Sequence, residues 1–152
     1  MSLAIALHVL SVVVWVGGMF FAYMALRPAA VEVLEPPLRL TLWVATFKRF
    51  FPWVWLAVVL ILTSGYWMIF KFGGFANLPL YVHAMNGLGL LMMAIYLHVF
   101  FAPFQKLKKA VSAENWPEGG KQLSMIRILV GTSTILGLLT ISIATAGRYL
   151  IH

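Results

Sequence analysis

The chain has no cysteine, no aspartate and only four glutamates among its 152 residues. Without thiols it has no disulfides, thiolate metal sites or iron–sulfur clusters, so any bound metal must be held by histidine, methionine or oxygen. The four carboxylates, Glu32, Glu35, Glu114 and Glu118, all lie between long apolar runs. No nucleophile, base and acid therefore meet within those runs, which excludes hydrolytic and acyl-transfer chemistry there. Charge of either sign is scarce, at 10% of residues, whereas 62% are hydrophobic. With a mean hydropathy of +0.96, the chain has too little polar surface for water and reads as one integral membrane domain over residues 1–152. A formal charge of +7 would point to nucleic acid in a soluble protein. Here the basic residues cluster between apolar runs, where they set topology and touch anionic lipid, so nucleic acid is set aside.

Four runs, about 3–26, 50–70, 80–102 and 126–150, are long enough to span. Crossing about 30 Å of hydrocarbon takes roughly 20 helical residues. Prolines are read as boundary marks: Pro52 and Pro79 near helix starts, Pro28 and Pro103 just past helix ends. No lysine or arginine precedes the first run, and it is too long for the apolar part of a signal peptide, so it is expected to be retained. Arg27, Arg39, Lys48 and Arg49 fall in the first connection, and Lys106, Lys108, Lys109 and Lys121 in the third, whereas the second holds only Lys71. The positive-inside rule then predicts cytoplasmic first and third connections and periplasmic termini, in a bacterial inner membrane. Segments 37–49 and 103–125 are amphipathic enough to be interfacial helical extensions. Short connections predict an all-α, up-down-up-down four-helix bundle whose first and third helices are parallel and diagonal.

An imidazole in hydrocarbon loses its hydration and needs a partner, so intramembrane histidines are the first candidates for function. His8 lies in "ALHVLSVVVWVGG" and His83 in "HAMNGLG". Counting from the helix starts puts both roughly 5–9 Å below the periplasmic boundary, with His98 about 22 Å further in. The His83 face carries Asn86 and Gly87, and the His8 face carries Ser11, Val12, Trp15 and Met19. A glycine one turn from a histidine makes room for a flat macrocycle. Small residues equally let membrane helices pack, as the pairs Gly18/Ala22 and Ser133/Gly137 would.

Two imidazoles at matched depth suit the axial positions of a haem b iron, with the macrocycle in the bundle core. On that reading Trp15, Asn86 and Gly87 line the haem and Arg148 receives its propionates, with Tyr149, Tyr81 and Lys71 as further candidates. Plain interfacial anchoring is the alternative for Arg148. Arg127 pairs with Glu114, Glu118 or lipid phosphate. His98 binds a second cofactor, carries protons or replaces His83 as ligand, while His152 is a solvated end. Copper is the competing chemistry, because Met19, Met85, Met92 and Met93 accompany His8, His83 and His98, and thioether with imidazole selects Cu(I). Met92 and Met93, being adjacent, cannot share one helix face.

The stretches "LHVLSVVVWVGGMFFAYMALRP", "RFFPWVWLAVVLILTSGYWMIF" and "IRILVGTSTILGLLTISIATAGRY" resemble the CopD-like family of copper-resistance membrane proteins. The His8 to Gly18 spacing, with "LPLYVHAMNGLGLLMMAIYLHVFFAPFQKLKKA", is also similar to HemJ-type protoporphyrinogen oxidases, which are four-helix, haem-associated proteins. The resemblance implies a common scaffold with inward-facing histidines at His8, His83 and His98. The resulting expectation is a haem b protein for electron transfer, exchanging electrons with quinone or a periplasmic redox partner. Copper transport or resistance and protoporphyrinogen oxidation are the alternatives. A homodimer through a small-residue helix face is a further expectation.

Overall fold

The computed structural model describes residues 1–150. Residues 151 and 152 and the side chains of Arg148 and Leu150 lie outside the described residues, and with them the expectations for Arg148 and His152. Every long element is helical, and four continuous rods have windows of mean hydropathy 1.8 to 2.2, long and apolar enough to cross a membrane.

The first rod is α1 (Ser2–Phe21), a π-helical turn (Ala22–Leu26) and α2 (Arg27–Val33). Pro28 does not end the helix as expected. A proline supplies no N–H for the carbonyl four residues back, and its ring crowds that carbonyl. The chain absorbs this by widening one turn earlier, where the Arg27 N–H reaches the Ala22 carbonyl five residues back. The rod stops at Leu34, which turns extended before Glu35, Pro36 and Pro37.

Helix α3 (Pro36–Lys71) opens with two prolines in its first turn, where missing N–H groups cost nothing, and then runs through Pro52. The helix start expected near Phe50 is thus an interior point, and the amphipathic extension is continuous with the span. The backbone beside Pro52 is tied to the third rod by the Tyr96 hydroxyl, which donates to the Phe51 carbonyl at 3.1 Å. A 3₁₀ turn (Phe75–Asn77) and two glycines at positive φ, Gly73 and Gly74, lead into α4 (Leu80–Phe101). Ala102 bends the chain, Pro103 opens α5 (Pro103–Ser112), and α6 (Trp116–Leu150) completes the bundle.

The rods meet lipid with most of their apolar surface: Leu3, Leu10, Phe70 and Leu80 are each more than 60% exposed. Their hydroxyl groups are hidden in the way hydrocarbon demands. Ser11, Thr46, Thr63, Thr134 and Thr140 each donate to the carbonyl one turn back. Helix α1 lies along α3 and α4 along α6, with α5 folded back on α6. Two glycines set the spacing between rods. A Cβ at Gly18 would collide with the Phe50 ring, and one at Gly137 would sit 2.8 Å from Val16 Cγ2 and 3.1 Å from Met92 Cε. The small residues at 18 and 137 therefore serve close packing.

The core is aromatic and sits toward the basic end. Phe51 lies 4.8 Å from Phe104 and 5.1 Å from Phe47, ring centroid to centroid, and Tyr96 lies 5.3 Å from Trp55 and 6.2 Å from Trp15. Such pairs contribute about 0.5–1.5 kcal/mol each beyond burial. Leu107 and Ile126, 0% and 1% exposed, seal this core below. Leu107→Ala should cost about 2–5 kcal/mol through the cavity it leaves, and Gly137→Ala about 1–3 kcal/mol through overpacking. Gly87→Ala, where a Cβ meets nothing within 4 Å, should be neutral or stabilising. Thermal unfolding in one detergent, read by loss of the monodisperse peak, checks all three.

Candidate functional site

The continuous core stops at the level of Trp15, Val58 and Met92. Beyond it, toward the end where α1 begins and α3 finishes, the helices are held by smaller contacts, and the polar ones centre on His8. This residue is half-buried on α1 and faces α3, with its ring against Gly65: a Cβ there would lie 3.3 Å from His8 Cε1. A larger residue at 65 would push the imidazole away.

His8 Nδ1 lies 3.0 Å from Ser64 Oγ. A serine hydroxyl has one proton, and Ser64 gives its own to the Leu60 carbonyl, four residues back. With that proton given to Leu60, Ser64 Oγ accepts from His8, which assigns the ring proton to Nδ1 and the lone pair to Nε2. Among the described residues the side-chain partner of His8 is Ser64, on Nδ1, and the Ile61 backbone is a further neighbour of the ring. A ligating histidine is normally oriented and tautomerically fixed in this way, by a hydrogen bond on the nitrogen that does not bind the metal. The sequence singled out His8 as a candidate but not its neighbours Ser64 and Gly65. The signal was present: "TSG" is the one hydroxyl-rich, small stretch of the second span, at the depth of His8.

The other candidates are distributed differently. His83 is exposed and lies against Phe75, with centroids 6.0 Å apart, and Phe75 in turn meets Tyr66. Gly87, Leu90 and Ala94 continue its stripe, all exposed, and His98 is exposed further along the same side. This stripe faces outward from the chain, whereas α4 uses Met92, Met93, Tyr96 and Val99 to pack. Gly87 makes no close approach within the chain, unlike Gly18 and Gly137. Asn86 is half-buried beside it. Trp15 is 3% exposed and edge-on to Tyr96, so its indole packs the core below His8. Met19, Met92 and Met93 are buried in that same core.

As a ligand set this arrangement is sparse. No group of three His, Cys, Asp or Glu side chains converges among the described residues. A bare copper ion draws its whole coordination shell from the protein, and of the four candidate thioethers Met19, Met92 and Met93 are already packed while Met85 is half-buried. A porphyrin supplies four ligands to its iron itself, so one or two imidazoles suffice. The residues present offer one oriented imidazole, His8 on α1, and a second, His83, on the outward stripe of α4.

The family model described as Copper resistance protein D matches residues 44–146. That segment includes Ser64, His83 and His98 and leaves the His8 helix outside it. No curated protein and no solved structure matches the sequence. Because the match spans more than half of an all-helical chain with four membrane-length rods, the protein belongs to the CopD (copper resistance protein D) family.

Proposed function

We propose that this multi-pass CopD-family protein carries a haem b near the His8 end of its bundle and uses it for electron transfer. The observation that supports the reading is the His8 side chain, held through Nδ1 by Ser64, which is itself bonded to the Leu60 carbonyl, an arrangement that makes Nε2 the candidate axial ligand. His83 is the candidate for the second axial position, with Asn86 and Gly87 on the open stripe beside it. Bound there, the haem would supply a one-electron couple, and the chain's part is to hold the imidazole plane, exclude polar ligands and present an apolar wall. Quinone or a periplasmic protein are the electron partners this depth allows.

Copper handling is the second reading, favoured by the family match. In it His8 and the exposed His83 and His98 pass Cu(I) along the bundle with methionine help. The purified protein's oxidised and reduced spectra, with metal analysis, separate the two. Haem predicts a Soret band and a sharp reduced α band that His8→Ala abolishes and His83→Ala shifts or abolishes. Ser64→Ala should keep the spectrum while weakening affinity by about tenfold to a hundredfold, the usual effect of removing a ligand's orienting partner. Colourless protein carrying copper that His8→Ala removes would replace the haem reading with the copper one.

The basic end is assigned to the cytoplasm of a bacterial inner membrane on the strength of its lysines and arginines. The absence of cysteine makes this directly testable. In intact cells a membrane-impermeant maleimide should label Phe72→Cys, and should label Ala113→Cys only after permeabilisation. The reverse pattern would invert the orientation.

A further inference from the structure

Two arginines of the first connection, Arg27 and Arg39, come together in the fold with Arg127. Arg27 at the start of α2, Arg39 in the first turns of α3 and Arg127 on α6 line one cavity of about 310 Å³ at the basic end, with Tyr23, Trp43 and Trp116 as its aromatic wall. This is the lower end of the size range of ligand pockets. No acidic residue lines it. Arg27 is already oriented, its guanidinium carbon 4.9 Å from the centre of the Tyr23 ring. Three like charges around one space repel one another unless an anion sits among them, and guanidinium groups bind phosphate or carboxylate oxygens in pairs.

The cavity does not end at the arginines. Ala22, Phe47 and Val130 line it and also line a second cavity, of about 170 Å³, that runs on toward Trp15, Val54 and Tyr96 with almost wholly apolar walls. A charged chamber at head-group depth thus borders an apolar one deeper in the bundle. The π-helical turn at Ala22–Leu26, a feature often found at functional sites, supplies Ala22 to the junction and carries Tyr23 to the charged wall. A small soluble anion would leave the apolar chamber unfilled, while a neutral hydrocarbon would leave the arginines unneutralised.

We propose that this paired cavity is a specific site for one anionic phospholipid, its phosphate among Arg27, Arg39 and Arg127 and an acyl chain passing Ala22, Phe47 and Val130 into the apolar chamber. The site is independent of the haem reading. Tryptophan and tyrosine at the rim match the amphipathic belt that membrane proteins place at head-group level.

Native mass spectrometry of the full chain in detergent tests it, with phosphatidylglycerol and phosphatidylcholine of identical acyl chains as probes. One phosphatidylglycerol should be retained where phosphatidylcholine is lost. Arg27→Gln/Arg39→Gln/Arg127→Gln should weaken retention on the order of a hundredfold, three charges at a membrane surface being involved. Lys48→Gln/Lys109→Gln/Lys121→Gln removes the same charge from exposed positions at the same end and should change retention little. Val130→Phe, which narrows the junction and leaves every arginine, should also weaken phosphatidylglycerol. It keeps the proposal testable if the triple arginine variant does not fold. Equal retention of the two lipids, or undiminished phosphatidylglycerol in the arginine variant, would overturn the site. Inorganic phosphate stabilising the protein against heat as well as phosphatidylglycerol does would overturn the lipid as its occupant.

Discussion

Tyr96 joins two rods to its own. Its ring stands edge-on to Trp15 of α1 and to Phe51 and Trp55 of α3, while its hydroxyl donates to the Phe51 carbonyl next to Pro52. In lipid there is no hydrophobic force to drive helices together, since acyl chains are as apolar as leucine, and association rests on van der Waals fit and internal hydrogen bonds. An aromatic cluster running from Phe47 and Phe104 up to Trp15 provides that fit in one half of the bundle. Concentrating the packing there has a consequence for the other half. The rods near His8 need only small contacts to stay in register, so an imidazole and a run of exposed small residues are tolerated where a dense core would have filled the space.

The placement of His8 follows from the same economy. Ser64 belongs to a group of hydroxyls that hide by donating to the carbonyl one turn back, as Ser11, Thr46 and Thr134 also do. A hydroxyl so committed still has lone pairs, and in hydrocarbon only another protein donor can use them. Gly65 clears the approach, and His8 arrives with Nδ1–H. One polar residue is satisfied by another that was already satisfied, and the imidazole's second nitrogen is left over.

The four spans and the all-helical class were legible because they depend on composition, and the need of His8 for a polar partner because it depends on the cost of burying an imidazole, both local properties. Pro28 and Pro52 were misread as boundaries for a reason of the same kind in reverse. That local rule is not absolute: a π-helical turn accommodates Pro28, and α3 continues through Pro52 as a proline-containing helix. The facing of His83 was not legible either. Its depth follows from counting, but which side of α4 packs is decided by Tyr96, Met92 and Met93 several turns away, and that choice turns His83 and Gly87 outward. Ser64 required knowing that α1 pairs with α3.

Scarcity of acid ties the two ends together. With four glutamates, all toward the ends of the rods or between them, the chain has few internal counterions. Arginines that a soluble protein would pair with carboxylates must here find anions outside the chain, and at head-group depth the abundant anion is lipid phosphate. Three of the basic residues that mark this end of the bundle also line a cavity that no carboxylate lines. Its apolar limb abuts Trp15 and Tyr96, the residues on which α1 is held against α4. Filling that limb adds contacts to the aromatic cluster from the bilayer side, and the register of α1, which sets where His8 meets Ser64, rests on that cluster.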